Sequence, residues 1–275
     1  MTNTVFLNDS YLDSTQASLF ISDLSILRGY GIFDFFKTIN NQPVFLQDHL
    51  ERFFNSAARM HLQVKYTAAE LEEIINKLIE TNNLPNSGIR LTLTGGYSAD
   101  GYHLPVSPNL IITQYPLDLP LTFDSKGMSL VTYGYQRQLA EMKTLDYSMA
   151  IWLKSFIDEN KADDVLYHAD GLVKECPRAN FFIVTPEQEV ITAKNGILSG
   201  VIRKNILNLE HTGFRLSERD FSLTALNQAS EAFITSTTKN ILPVLKIDGK
   251  NVGNGEAGPV TRKLSELLLE KIKSV

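Results

Sequence analysis

Between residues 115 and 127 the chain reads YPLDLPLTFDSKG, with two prolines and neither the two-residue alternation of a strand nor the 3.6-residue spacing of a helix. Apolar residues on both sides do follow those periods. The break divides the chain into an N-terminal domain of residues 1–114, an interdomain connector over 115–127 and a C-terminal domain of residues 128–275. With 43% hydrophobic residues, a chain of 275 residues can bury a core in each half.

In the N-terminal half, YGIFDFFKTI (30–39) reads as a strand, Asn40-Asn41-Gln42-Pro43 as a turn and Val44-Phe45-Leu46 as the returning arm of a hairpin. QDHLERFFNSAARMHL (47–62) sets Leu50, Phe53, Phe54, Ala57 and Ala58 at helical spacing, with Asp48 the expected N-cap. Thr67 and Glu70 spell a capping box for a second helix. Strands IRLTLT (89–94) and NLIIT (109–113) flank a long loop, GGYSADGYHLPVSP, and ordered loops of that length often carry function.

The C-terminal half begins with strand MSLVTYG and a helix over 147–160. Strands follow near 165–168, 172–175, 181–185 and 190–193, the first two joined by a tight turn at Asp170-Gly171. A helix over 200–210, strand FRLSER, a short helix near 222–228, strand EAFITST, the hairpin PVLKIDGKNVG and a helix over 256–273 complete it. Strands fill the middle of each half and helices flank them, which defines two α/β or α+β domains.

A formal net charge of −5 disfavours electrostatic binding of nucleic acid and favours small-molecule partners. Cys176 is the sole cysteine, so an intrachain disulfide and a cysteine-rich zinc site are excluded. The N-terminal MTNTVFLNDSYLDS lacks a basic stretch followed by an apolar core, and no apolar run approaches the ~20 residues of a membrane span. A soluble cytoplasmic protein is expected.

Candidate chemistry gathers around Lys143, in LAEMKTLDYSMAIWL just ahead of a helix. Taken alone it is one lysine among sixteen. Three further segments bear on it. In VKECPRANFFIV, Glu175 ends a short strand and Asn180 opens an apolar one, so Glu175 is either a solvated strand end or a buried acid with a cationic partner. In GILSGVIRKNIL, Ser199 and Gly200 precede a helix whose first N–H groups suit an anion. In ITSTTKNILPV, the hydroxyls of Ser236, Thr237 and Thr238 stand at a strand end, as in an ordinary turn or a phosphate contact.

Together with RGYGIFDFFKTINNQPVFLQDHLERFFNSA and DGKNVGNGEAGPVTRKL, these motifs resemble, in order and spacing over nearly the whole chain, the class IV (fold type IV) pyridoxal-phosphate-dependent aminotransferases. That group includes D-amino acid and branched-chain aminotransferases and aminodeoxychorismate lyase. The resemblance implies pyridoxal 5′-phosphate (PLP) as cofactor and a homodimer with its sites at the subunit interface. It implies that Lys143 condenses with the cofactor aldehyde and later carries the substrate Cα proton, because only a primary amine both condenses and is released as a base. Glu175 becomes the partner of the pyridine nitrogen, and Arg52 the fork that grips the phosphate. Gly200, Val201 and Ile202 offer backbone N–H groups to the phosphate, Ser236, Thr237 and Thr238 their hydroxyls, and Asn180 joins the cofactor contacts. Ile202 stands where some members carry threonine. Tyr147 either hydrogen-bonds the ring hydroxyl or packs within its helix.

For substrate, RGYGIFDFF is most similar to the hairpin of D-amino acid aminotransferases and the lyase. Phe33 occupies the place of their carboxylate-binding tyrosine, and GGYSADGYH lacks their arginine and histidine, although His103 is near. Arg28 and Arg90 are the candidates for a replacement carboxylate clamp, with Arg178 a further one. The expected function is transamination between a D-amino acid and 2-oxoglutarate or pyruvate. Branched-chain L-amino acid transamination, lyase activity and, more remotely, a non-catalytic binding protein of the same fold are the alternatives.

Overall fold

The computed structural model describes residues 3–119 and 121–274, which form two compact units. The first takes the chain up to Leu119 together with Met142–Asp146. The second takes the intervening chain up to Glu141 and then Tyr147–Ser274.

The first unit contains β1 (Thr4–Leu7), β2 (Ser10–Asp13), α1 (Leu24–Arg28), β3 (Gly31–Ile39), β4 (Gln42–Pro43), α2 (Leu46–Arg59), α3 (Ala68–Asn82), β5 (Ser87–Thr94) and β6 (Leu110–Pro116). Its six strands form one antiparallel sheet in the order β2-β1-β6-β5-β3-β4. Asn40 and Asn41 both take positive φ, the geometry a two-residue hairpin turn needs, so the hairpin closes at Ile39 and Gln42: Gln42 and Pro43, expected in the turn, form the returning strand, and Val44-Phe45-Leu46, expected as that arm, leads into α2 instead. α3 opens with the capping box, Thr67 and Glu70 exchanging side-chain and backbone hydrogen bonds. α2 starts otherwise than expected. Phe45, in the left-handed region, is its N-cap, and Asp48 sits within the first turn, where its charge favours the positive end of the helix. β6 runs on to Pro116, so the stretch expected as connector begins inside a strand.

Alternation along β3 gives its two faces different tasks. Ile32 and Phe36 join Ile89, Leu91, Leu93 and Ile112 in a core closed by Leu50 and Phe53 of α2 and Leu71, Ile75 and Leu78 of α3. Asp34 projects on that same face toward α2, whereas the ring of Phe35 stacks 6.0 Å from that of Tyr115 on the other. Lys37 shares the alternation of Phe33 and Phe35 and is only 1% exposed.

The second unit contains β7 (Met128–Gly134), α4 (Ser148–Trp152), α5 (Lys154–Glu159), β8 (Asp164–Ala169), β9 (Leu172–Val173), β10 (Glu175–Cys176), β11 (Ala179–Val184) and β12 (Glu189–Thr192). It continues with α6 (Val201–Leu207), β13 (Arg215–Glu218), α7 (Leu223–Asn227), β14 (Glu231–Ser236), β15 (Asn240–Ile247), β16 (Lys250–Asn251) and α8 (Pro259–Lys273). A mixed sheet runs β13-β12-β11-β14-β15-β7-β8-β9, with β10 on β11 and β16 on β15. The helix expected over 147–160 is divided at the buried Leu153 into α4 and α5. The buried carboxylate of Glu231 caps α8 by accepting from the N–H groups of Val260 and Thr261.

Burial lowers the Lys37 pKa from 10.5 to about 8. Its folded-state pKa therefore lies below the unfolded one, and the unfolded chain holds the extra proton between those values. Stability should rise with pH between about 8 and 10.5, and below pH 8 the full cost of burying the cation remains. We expect Lys37→Met to remove that slope, as read by denaturant unfolding at pH 7, 8 and 10.

Candidate active site

Lys143 is held by its backbone. Its carbonyl accepts from the Phe33 N–H at 2.9 Å, the Leu145 N–H donates to Gly31 O at 3.0 Å, and Ile32 bridges Thr144. The segment thus lies as a short antiparallel strand along the start of β3, and the Lys143 N–H also reaches Ser56 Oγ on α2 at 3.3 Å. Position 31 has to be glycine. Its φ is +157°, and a Cβ there would stand 2.7 Å from Leu145 Cδ1 and 2.7 Å from Leu93 O.

This pairing sets the Lys143 ammonium 4.5 Å from the centre of the Phe33 ring. The Arg90 guanidinium lies 3.8 Å from the centre of the same ring, and its Nε donates to Thr92 Oγ1 at 3.2 Å. One aromatic ring therefore serves two cations, an arrangement the ring quadrupole favours. Arg52 reaches across from α2 to Asp34, Nε to Oδ2 and Nη2 to Oδ1 at 2.8 Å each, and His49 Nδ1 lies 2.7 Å from Oδ1. Burial alone would raise the Asp34 pKa, but Arg52 and His49 hold it well below the usual carboxylate range. His49 is pushed below its ordinary 6.5 by burial, against the pull of Asp34, with Arg52 and Lys143 adding to the downward shift.

Glu175 in the second unit is the buried acid rather than a solvated strand end. Arg137 Nη1 donates to its Oε1 at 2.9 Å, and the Leu198 N–H and Asn180 Nδ2 donate to its Oε2 at 3.0 and 3.3 Å. Three donors of this kind suit an anion. Asn180 also donates to Leu198 O at 2.8 Å, which ties β11 to the loop leading into α6. Gly200 is the N-cap of α6, and a Cβ there would fall 1.9 Å from Asn180 Oδ1. Val201 and Ile202 form the buried first turn, and Ser236 Oγ accepts from the Lys239 N–H in the turn that Thr237 and Thr238 share.

Tyr147 is the half-buried N-cap of α4, outside the helix it was expected to open. Arg28 is exposed at the end of α1, its Nη1 donating to Leu27 O. Arg178 is exposed and faces Asp164 at 3.7 Å. His103 is 82% exposed and bonded to Asp100 within its own loop. Sequence reasoning missed Arg137, Asp34 and His49. The last two carried a readable signal, since His49 is one helical turn before Arg52 and Asp34 alternates with buried residues on β3.

Residues 31–247 match the model of the amino-transferase class IV family, and the chain belongs to that family. It is 28% identical to a D-alanine aminotransferase of Staphylococcus haemolyticus over 98% of each chain, and 27% identical to one of Bacillus licheniformis over 98% of this chain and 97% of that one. A T.th. branched-chain amino acid aminotransferase with pyridoxamine 5′-phosphate superposes with a TM-score of 0.90 at 22% identity, covering 100% of this chain and 96% of that one. The branched-chain aminotransferase of Thermoproteus uzoniensis with norvaline gives 0.87 at 24% identity, over 100% of this chain and 97% of that one.

Class IV aminotransferases use PLP, and the residues present fit that group. A primary amine stands against Phe33, an arginine fork is already fixed, a buried carboxylate is surrounded by donors, and glycine alone is accommodated at position 200. Gly200→Ala should displace Asn180 and weaken its bonds to Glu175 and Leu198. We expect a loss of about 2 kcal/mol in urea unfolding.

Proposed function

We propose that the protein is a D-amino acid transaminase that exchanges the amino group of a D-amino acid with 2-oxoglutarate or pyruvate, binding the substrate α-carboxylate through Arg90 and Arg28. The observation that carries this is the Phe33 ring with Arg90 at 3.8 Å and Lys143 at 4.5 Å, which sets a carboxylate-seeking fork one ring away from the amine. The D-alanine aminotransferases matched over 98% of this chain support the choice of substrate class.

Bound PLP supplies an aldehyde for amines and a ring able to take up the electron pair freed at the substrate Cα. Lys143 removes and returns the Cα proton. Glu175, itself oriented by Arg137, Asn180 and the Leu198 N–H, holds a proton on the ring nitrogen. Arg52 binds the phosphate, with the N–H groups of Val201 and Ile202 and the hydroxyls of Ser236, Thr237 and Thr238 as further donors. Tyr147 hydrogen-bonds the ring hydroxyl. Phe33 replaces a phenol with a plain ring, so the carboxylate depends on guanidinium groups rather than on a tyrosine. Arg178 keeps its pairing with Asp164.

The working form is a cytoplasmic homodimer in this reading. Exposed Phe20, Ile21, Tyr102 and Val106, together with Ile26 and Leu27 beside Arg28, supply apolar surface for a second copy. Among the described residues no helix is long and apolar enough to cross a membrane.

Spectrophotometric screening of D- and L-amino acids for conversion of the bound aldehyde to its amine form tests the reading. D-alanine or D-glutamate should react faster than L-leucine. The reverse order selects branched-chain transamination, and pyruvate release from aminodeoxychorismate without an amino acceptor selects the lyase. Lys143→Ala should abolish turnover, and Glu175→Gln should keep the cofactor while slowing proton abstraction. Arg90→Ala and Arg28→Ala should raise KM about tenfold or more with kcat little changed, as expected for lost charge-assisted bonds of ~1.5–3 kcal/mol. Unchanged KM in both would remove the clamp.

A further inference from the structure

We propose that Asp34 is a positioning residue for the cofactor phosphate, acting through Arg52. The inference rests on the assignment of Arg52 to that phosphate. Asp34 is 1% exposed on β3, and each of its oxygens accepts from Arg52 at 2.8 Å, so the guanidinium is held side-on. The Phe35 N–H donates to Oδ1 at 2.8 Å, and His49 Nδ1 approaches the same oxygen at 2.7 Å. An ionised carboxylate can only accept, so the proton lies on Nδ1, and His49 braces Asp34 from α2.

A guanidinium has five N–H bonds, and side-on pairing commits Nε–H and one Nη2–H. One Nη2–H and one Nη1–H then lie along the adjacent edge in a fixed plane, the geometry a phosphate accepts bidentately. Arg52 spans from α2 to β3 to make this contact, and its long side chain would otherwise populate many rotamers. Asp34 thus trades net positive charge for direction. A ligand site that worked by charge would be better off without it.

That contrast gives the test a sign. Apoprotein of the full chain is titrated with PLP and with pyridoxal, which lacks the phosphate, and Kd is read from the absorbance of the bound aldehyde, with far-UV circular dichroism as a check of folding. Asp34→Asn should weaken PLP binding by roughly tenfold or more, as loss of a residue that orients a ligand group does, and leave pyridoxal binding nearly unchanged. In an Arg52→Ala background the same change should add nothing to the loss. PLP bound as tightly or more tightly by Asp34→Asn overturns the proposal, as does a further loss in the Arg52→Ala background. If Arg52→Ala alone leaves the ratio of PLP to pyridoxal affinity unaltered, the phosphate assignment itself fails and takes the proposal with it. Should Asp34→Asn prove insoluble, Asp34→Glu keeps the charge but advances it by one methylene, and the same phosphate-specific loss is expected.

Discussion

The pairing of residues 143–145 with the first residues of β3 is the contact on which the reactive part of the first unit depends. It fixes the backbone on both sides of the lysine and leaves the side chain as the main freedom. The register decides what that side chain meets. Because the Phe33 N–H donates to Lys143 O and Phe33 pairs with Thr92 across β5, its ring is brought within reach of both the lysine and Arg90. A slip of one residue would turn Phe33 toward the core and Ile32 outward. Gly31 guards that register, since any side chain there meets Leu145 and Leu93 O.

The two units stabilise their buried acids in the same way, each with one guanidinium and neutral donors. Asp34 is matched by one guanidinium and a neutral imidazole, while Glu175 takes one guanidinium and two neutral N–H donors. Each carboxylate is therefore nearly saturated with donors, the condition under which a buried charge is tolerable. Removing the guanidinium leaves the carboxylate charge buried and uncompensated, so Arg52 is tied to Asp34 and Arg137 to Glu175.

Local signals make much of the fold legible. The capping box at Thr67 and the Asp170-Gly171 turn appear as read, because each depends on a few neighbouring residues, whereas the turn read over residues 40–43 is confined to Asn40 and Asn41. The start of α2 departs from the sequence reading because Phe45 caps it from the left-handed region with no side-chain bond, a conformation that cap preferences do not reveal for a bulky residue. β1 and β2 escape notice because four-residue strands carry too little periodicity. In the site, Lys143, Glu175 and Arg52 stand out through the order of whole motifs. Arg137 does not, since its partnership with Glu175 joins residues 38 positions apart.

The lysine segment also has a bearing on how the chain acquires its structure. Ser56 and Lys143 are 87 positions apart, yet both belong to the first unit. In chain order the sheet and its two long helices all precede this segment. The first unit then waits with one edge of β3 undocked while the start of the second is made. Non-local closure of this kind is slow relative to hairpin and helix formation. The amine on which turnover depends is consequently among the last groups of its unit to reach its place, and a nascent chain of only the first 119 residues holds the arginines but no nucleophile to accompany them.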